Sequence, residues 1–304
     1  MSVAASSVDR EAAVSPGRMQ GVLSGLAALV RRPNGAFGVS VAVGMVVLAI
    51  FAPQIAPYNP DAQNIPAAFQ GPGTTHLLGT DELGRDLLSR LIYGTRIELS
   101  VALPAVAIAV LCGLVLGLMA GYFGGLIDSV LVIIMDTVQA FPAVILALAL
   151  LFLLGPSLGN VRIVIAIAFV PNYARVSRAS VYATKQNLYI ESERALGASH
   201  RRVVLVHLLP NIIAPLLILI AMDTPSAIVT EAGLSFLGLG VQPPTPSWGV
   251  LLSDGFTNVY TSPWEIIFAS LALMVATLGL TMLGEALRDV LDPRLAGSRG
   301  SERS

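Results

Sequence analysis

Charged side chains and cysteine are scarce in this chain of 304 residues. Charged residues make up 12% of the sequence, about half of the roughly 25% that is usual in soluble proteins. The one cysteine, Cys112, cannot form a disulfide within the chain. The net charge of −1 offers no basic surface to nucleic acid. A soluble domain, a disulfide-stabilised domain and a nucleic-acid-binding protein are therefore excluded.

The sequence also lacks the motifs of ATP hydrolysis and of catalysis within a membrane. Its single lysine, Lys185, has no Gly-x-x-x-x-Gly-Lys-Ser/Thr loop around it. No His-Glu-x-x-His motif is present for zinc, and no histidine lies in an apolar stretch where it could activate Ser235. We therefore predict that this chain has no enzyme activity, no metal site and no bound cofactor of its own.

Long apolar runs fill the rest of the chain. Hydrophobic residues make up 55% of the sequence, and the mean hydropathy is +0.76. Apolar windows of about 20 residues predict membrane-spanning helices. Six are predicted, at about 35–52, 99–120, 129–154, 163–174, 212–232 and 266–283. The fourth is short of apolar residues, so Arg175 and Arg178 must lie near its cytoplasmic end. The predicted fold class is an all-α integral membrane protein.

Basic residues predict the orientation of these helices, because Lys and Arg concentrate in cytoplasmic loops. With the N-terminus inside, most of the 18 basic residues fall in cytoplasmic segments. Both termini are therefore predicted to be cytoplasmic. The chain divides into a cytoplasmic tail with a flexible or interfacial segment (1–34), a first helix with an outer segment (35–96), a core of five helices (97–287) and a second cytoplasmic tail (288–304).

A charged segment at residues 189–210, YIESERALGASHRRVVLVHLLP, separates two apolar runs. So many polar side chains cannot lie in lipid, and they predict a loop at one membrane face. Gly197 suits the position just after a helix, and Ser199 suits the N-cap of the next helix. The pattern predicts a short helix, a glycine turn and a second short helix that ends at Pro210.

This segment resembles the EAA loop of ABC-importer permeases. Glu191 and Gly197 occupy the Glu and Gly positions of that loop, and Leu209-Pro210 its final pair, whereas Ser192 and Glu193 replace two alanines. The resemblance implies that the loop receives the motion of partner ATPases. The implied coupling residues are Glu191, Ser192, Glu193, Ala195, Gly197, Ala198, Arg201, Leu209 and Pro210. The alternative for Glu191 is that it only solvates a loop.

Two predicted outer segments resemble a narrower group, the dipeptide, oligopeptide and nickel importers. The first holds His76, Leu78-Gly79-Thr80-Asp81 and Gly84-Arg85-Asp86, and the second, within 234–263, holds LSFLGLG and Ser247-Trp248-Gly249. The resemblance implies that contacts with a substrate-binding protein are made by Asp81, Arg85, Asp86 and Trp248. The alternative is that the charged residues form ion pairs that fix the segment.

The same resemblance implies a type I importer permease, the second (C-type) transmembrane subunit of a system that imports dipeptides or oligopeptides across the cytoplasmic membrane of a prokaryote. The implied partners are a second permease, an extracytoplasmic binding protein, and two ATPase subunits (or one two-domain ATPase) that bind ATP and Mg. Nickel chelates, glutathione and haem are alternative substrates. A secondary transporter is a remote alternative, because it would usually show inverted repeats, and none is detected.

Polar residues inside the predicted spans are candidates for the translocation pathway, because a charge at the helix centre costs about 2.5–3.5 kcal/mol. They are Asp136, Gln139, Asn172, Asp223 and Glu231. The alternative is that they only form interhelical hydrogen bonds, worth about 0.6 kcal/mol each. Pro142 predicts a kink near the first two. Glycines at every fourth position from Gly113 to Gly121 predict close helix packing, within the subunit or against a partner.

Overall fold

The computed structural model describes residues 29–291, and the predicted tails beyond these limits lie outside the described residues. Within this range the chain is helical, and its one β feature is an isolated bridge between Thr80 and Asp86. The helices are α1 (Pro33–Ile55), α2 (Leu87–Phe123), α3 (Gly125–Gln139), α4 (Ala143–Leu154), α5 (Leu158–Lys185), α6 (Leu188–Ala195), α7 (His200–Phe236), α8 (Trp248–Thr257) and α9 (Trp264–Leu291). A short 3-10 turn occupies Ile65–Ala67.

Four of these helices are long and apolar enough to cross a membrane, namely α1, α2, α7 and α9. Helices α3 and α4 together would make a fifth span, bent by 89°. The bend agrees with the predicted kink, since α4 begins directly after Pro142. Helix α5 has 28 residues, but polar residues such as Arg162 and Arg175 interrupt its apolar stretch. Composition therefore supports four or five spans among residues 29–291.

The centre of the molecule is a close contact between α2 and α5. A methyl group on Gly113 would overlap Cβ of Tyr173, one on Gly117 would lie 2.5 Å from Cβ of Ser177, and one on Gly121 would lie 2.8 Å from Cβ of Val181. The predicted glycine packing is therefore confirmed, and it lies within the subunit. Because the contacts advance by about four residues on both helices, α2 and α5 run parallel and in register.

The helix bundle has two distinct ends. At one end, residues 56–86 and 237–263 fold over the helices, and we call this the cap end. At the other end, residues 186–202 connect α5 to α7 and include α6, and we call this the charged end. Helix α2 runs from Leu87 at the cap end to Phe123 at the charged end. The two ends present the candidate sites described below.

Candidate functional site

The charged end begins with α6, which ends as the sequence predicted. Gly197 adopts a left-handed backbone with φ of +84°, and the Ala198 N–H donates to the Glu193 carbonyl over 3.0 Å. This bond joins residues five apart, as in a Schellman turn. Ser199 then caps α7 by accepting a hydrogen bond from the Arg202 N–H at 3.4 Å. The predicted helix, glycine turn and second helix are confirmed to this point.

The second helix does not end at Pro210, and that prediction is wrong. After one turn, Val203–Leu208 forms a π-helical segment, and the helix then continues without a break to Phe236. Pro210 falls in the first α-helical turn after this segment, where its missing N–H is tolerated. The second half of the charged segment, from His200 to Pro210, is therefore the first part of the long helix α7, so a displacement of one would move the other.

The surface of the charged end combines acidic and apolar side chains. Glu191, Ser192, Ala195, Gly197, Arg201 and Pro210 are exposed, and Glu193, Ala198 and Leu209 are half-buried. Beside them, Leu188 is 80% and Leu196 is 86% exposed, although neither was predicted as a contact residue. On the opposite face of α6, Ile190 is fully buried and packs the helix against the bundle. The charged end therefore exposes two large apolar side chains beside charged ones.

Tyr122 connects the charged end to the core of the bundle. This residue lies near the end of α2, and its hydroxyl is 2.5 Å from Nδ1 of His200 in the first turn of α7. Nζ of Lys185, at the end of α5, donates to the Tyr122 carbonyl over 2.7 Å. Three helices therefore meet at one residue. This contact could not be predicted, because Tyr122 and His200 are 78 residues apart in the chain.

Asp81 is the centre of a buried charge network at the cap end. One carboxylate oxygen accepts the N–H groups of Leu83 and Arg85, both at 2.9 Å. The other lies 2.6 Å from Nε of Arg85 and 3.5 Å from Nε of Arg90. Nearby, Asp86 caps α2 and lies 2.9 Å from Nδ1 of His76. These contacts fold the outer segment onto the start of α2.

Trp248 is buried between the second cap segment and α2. Its backbone N–H donates to Oε1 of Glu98 over 3.0 Å, and its indole N–H donates to the Leu91 carbonyl over 3.1 Å. A methyl group on Gly94 would lie 2.7 Å from the indole ring, so only glycine leaves room for it. Trp248 therefore joins the cap to α2.

Burial contradicts the prediction that the four cap-end candidates contact a binding protein directly. The side chains concerned are all buried within the chain, namely Asp81, Arg85, Asp86 and Trp248. The alternative, that the charged residues form ion pairs which fix the segment, is what the structure shows. These residues determine the shape of the cap surface without being part of it.

Glu231 was predicted to line a pathway, and the structure contradicts this. Its side chain is fully buried, and Oε1 accepts the Ser235 hydroxyl at 2.6 Å. The carboxyl groups of Glu231 and Glu98 face each other within hydrogen-bonding reach. Oε2 of each has no other partner among the described residues. Glu98 was not predicted, because an isolated glutamate near a helix start has no sequence signature.

Three of the other pathway candidates lie together between α3 and α5. Nε2 of Gln139 donates to Oδ1 of Asn172 over 2.6 Å. One helical turn away, Asp136 accepts a hydrogen bond from Arg175 at 2.8 Å. Asp223 is elsewhere, beside the Tyr173 hydroxyl on the face of α5 that packs against α2. Among residues 29–291 no group of acidic, His or Cys side chains could hold a metal ion.

Comparison with known proteins gives matches to two family models. Residues 113–297 match a binding-protein-dependent transport system inner membrane component. Residues 26–72 match the N-terminal TM domain of oligopeptide transport permease C. An amino acid ABC transporter of known structure matches with a TM-score of 0.51 and 21% identity, covering 65% of this chain and 92% of that chain. At this identity the structural likeness shows the fold alone.

Curated relatives match over most of their length. A dipeptide transport system permease protein, DppC, of Alkalihalophilus pseudofirmus is 37% identical over 94% of this chain and 93% of its own. A di/tripeptide transport system permease protein of Pseudomonas aeruginosa is 40% identical over 83% and 85%. A glutathione transport system permease protein, GsiD, of Pectobacterium atrosepticum is 39% identical over 84% and 87%.

Proposed function

Because the chain belongs to the family of binding-protein-dependent transport system inner membrane components, we propose that it is the C-type permease subunit of an ABC importer for dipeptides or oligopeptides. It is a multi-pass protein of the inner membrane of a prokaryote. The relatives named for dipeptide and di/tripeptide transport support the peptide substrate. Glutathione, itself a modified peptide, is an alternative supported by one relative. Nickel chelates and haem are alternatives without a supporting observation.

The proposed topology has six spans and cytoplasmic termini. The contacts of α5 support its assignment as a span. Near its start, Arg162 lies 3.5 Å from Ser100 of α2, and at its end Lys185 meets Tyr122 of α2. The 23 residues from Arg162 to Lys185 span about 34 Å, enough to cross a hydrocarbon core of about 30 Å. In this topology the charged end faces the cytoplasm and the cap end faces outward.

Transport in this proposal uses ATP that other subunits bind. Two ATPases, or one with two domains, would bind ATP and Mg and dock on α6. A second permease would complete the pathway, and a binding protein would deliver peptide to the cap surface. Movement of the ATPases would displace α6 and the start of α7, and the continuous helix would carry the displacement into the membrane.

The observation that carries this proposal is the exposed surface of α6. Its acidic and apolar side chains project from a helix that Ile190 holds on the bundle, and Leu196, directly after α6, is 86% exposed. A secondary transporter binds no ATPase, so it would need no exposed docking surface at its cytoplasmic end. The ATPase partner proposed here would bury Leu196 and pair with Glu191.

The test is the ATPase activity of the purified complex in lipid, measured with and without binding protein loaded with a dipeptide. Glu191→Ala, Leu196→Asp and Gly197→Asp are expected to lower the stimulated activity about tenfold or more, as loss of central interface residues does. The matched control is Glu285→Ala, which changes an exposed glutamate of α9 outside the coupling segment.

Glu191→Ala and Leu196→Asp are expected to retain the yield and melting temperature of the isolated permease, because the altered side chains are exposed. Gly197→Asp is expected to lower the melting temperature slightly, because it puts a side chain on a left-handed backbone. Absence of any co-purifying ATPase would contradict the proposed function. Stimulation that survives all three substitutions would show that α6 is not the coupling element.

A further inference from the structure

One ion pair lies about halfway across the membrane in the proposed topology. Asp136 is 11 residues from Gly125, where α3 begins, which corresponds to about 16 Å along the helix. Arg175 is 10 residues from Lys185, where α5 ends, which corresponds to about 15 Å. Both distances are half of a hydrocarbon core of about 30 Å. Two independent helices therefore place the pair at the same depth.

This pair is open to its surroundings, unlike the neighbouring pair on the same helices. The side chains of Arg175 and Asp136 are 57% and 58% exposed. One turn nearer the charged end, Arg178 donates two hydrogen bonds to Asp128, at 2.5 and 2.7 Å, and its guanidinium lies over the Tyr182 ring. An exposed ion pair at mid-membrane depth cannot face lipid. In the proposed complex this face borders the substrate pathway that the second permease completes.

We propose that Arg175 binds the C-terminal carboxylate of the peptide in transit, and that Asp136 occupies Arg175 when no peptide is present. The proposal rests on the proposed function, since it requires a pathway along α3 and α5. An arginine presents a planar pair of N–H donors that suits a carboxylate. Substrate carboxylate replaces the Asp136 carboxylate, and no covalent bond changes.

The groups around the pair match the remainder of a short peptide. Asp136, once released from Arg175, can accept the N-terminal ammonium group. The amide side chains of Gln139 and Asn172 lie one helical turn away on the same two helices, and they can exchange their mutual hydrogen bond for bonds to the peptide backbone. A zwitterionic peptide thus finds a cation, an anion and amides in one place, whereas an uncharged solute would leave the ion pair intact.

The experiment is uptake of dipeptides into proteoliposomes that contain the complex, its binding protein and internal ATP. Each peptide is used with a free carboxylate and as the C-terminal amide, and only pairs that the binding protein binds in both forms are compared. Arg175→Gln is expected to lower uptake of the carboxylate form about tenfold or more, the range of a lost charge-assisted hydrogen bond. Uptake of the amide form should change by less than about twofold. Arg175→Lys should restore part of the difference.

Two controls keep the outcome interpretable. Arg288→Gln changes an exposed arginine of α9 and should leave the carboxylate preference of uptake intact. Stimulation of ATPase activity by loaded binding protein is measured in the wild type and in Arg288→Gln, and it should be equal in the two, because Arg288 lies outside both α6 and the proposed peptide site. If wild-type ATPase is not stimulated, the proposed function fails. If stimulation is normal and Arg175→Gln does not lower the carboxylate preference, only the present proposal fails.

Charge reversal tests the main competing role of the pair. In the competing role, the ion pair only holds α3 against α5. The Asp136→Arg, Arg175→Asp double variant would then regain the uptake that each single reversal loses. That result would overturn the peptide-site proposal. Continued loss of uptake in the double variant, with normal yield and ATPase stimulation, would support it.

Discussion

The two ends of the helix bundle use charged residues in opposite ways. At the cap end, Asp81, Arg90 and Glu98 are buried and lie against one another or against backbone groups. At the charged end, Glu191 and Arg201 are exposed, and the apolar side chain of Leu196 is exposed beside them. The same classes of side chain are therefore buried against partners at one end and exposed, on the proposed coupling surface, at the other.

Because of this difference, we expect substitutions at the cap end to change the stability of the fold, and substitutions at the charged end to change the proposed coupling to partners. A buried charge that loses its partner still has its desolvation penalty, and no ion pair compensates for it. Substitutions at the cap end should therefore destabilise the fold. An exposed charge in water loses little when it is removed. Substitutions at the charged end should therefore affect partners and spare the fold. The comparison fails if cap-end substitutions prove harmless to stability.

The largest effect is expected for Asp81→Ala. This change leaves Arg85 and Arg90 buried without their carboxylate and removes the acceptor of two backbone N–H groups. Breaking one side of a buried pair costs about 3–5 kcal/mol. The measurement is thermal unfolding of the purified permease in detergent. Asp61→Ala, at an exposed position of the same segment, is the control and should leave the melting temperature unchanged.

Glu98 should show a smaller effect that depends on the replacement. Glu98→Ala removes the acceptor of the Trp248 N–H and leaves Glu231 without its facing carboxyl group, a loss of about 1–3 kcal/mol. Glu98→Gln keeps an oxygen for Trp248 and offers an N–H to Glu231, so it should recover most of that loss. Both are measured by unfolding in detergent. Equal destabilisation by the two variants would show that the facing carboxyl groups do not interact.

The charged end could be predicted from sequence because its structure is local. Gly197 and Ser199 specify the turn through residues within five positions of themselves, so their spacing was sufficient to place it. The continuation of the helix beyond Pro210 was not predicted. A proline there suggested an end, and the π-helical segment that accommodates it has no pattern in the sequence.

The cap end and the polar pairs could be predicted only in part, because their contacts join distant residues. Trp248 and Glu98 are 150 positions apart, and Asp136 and Arg175 are 39 apart. The sequence identified Asp136 as an unusual residue within a span, but it placed Arg175 at the membrane edge. The structure pairs these two residues across α3 and α5, a contact that helix periodicity alone could not establish.

The smallest expected effect concerns Asp254 of α8. It tests whether a half-buried charge at the cap end contributes to stability as the buried charges do. Burial raises the pKa of this carboxyl above its ordinary 3.8. The folded chain therefore holds the proton more tightly than the unfolded chain, and stability is lost as the pH rises above about 4. Asp254→Asn removes this loss, so it should raise the melting temperature slightly at pH 7 and not at pH 3.5. A lower melting temperature at pH 7 would show that the attraction of Arg90 and Arg85 outweighs burial, and Asp254 would then belong with Asp81 in the buried network.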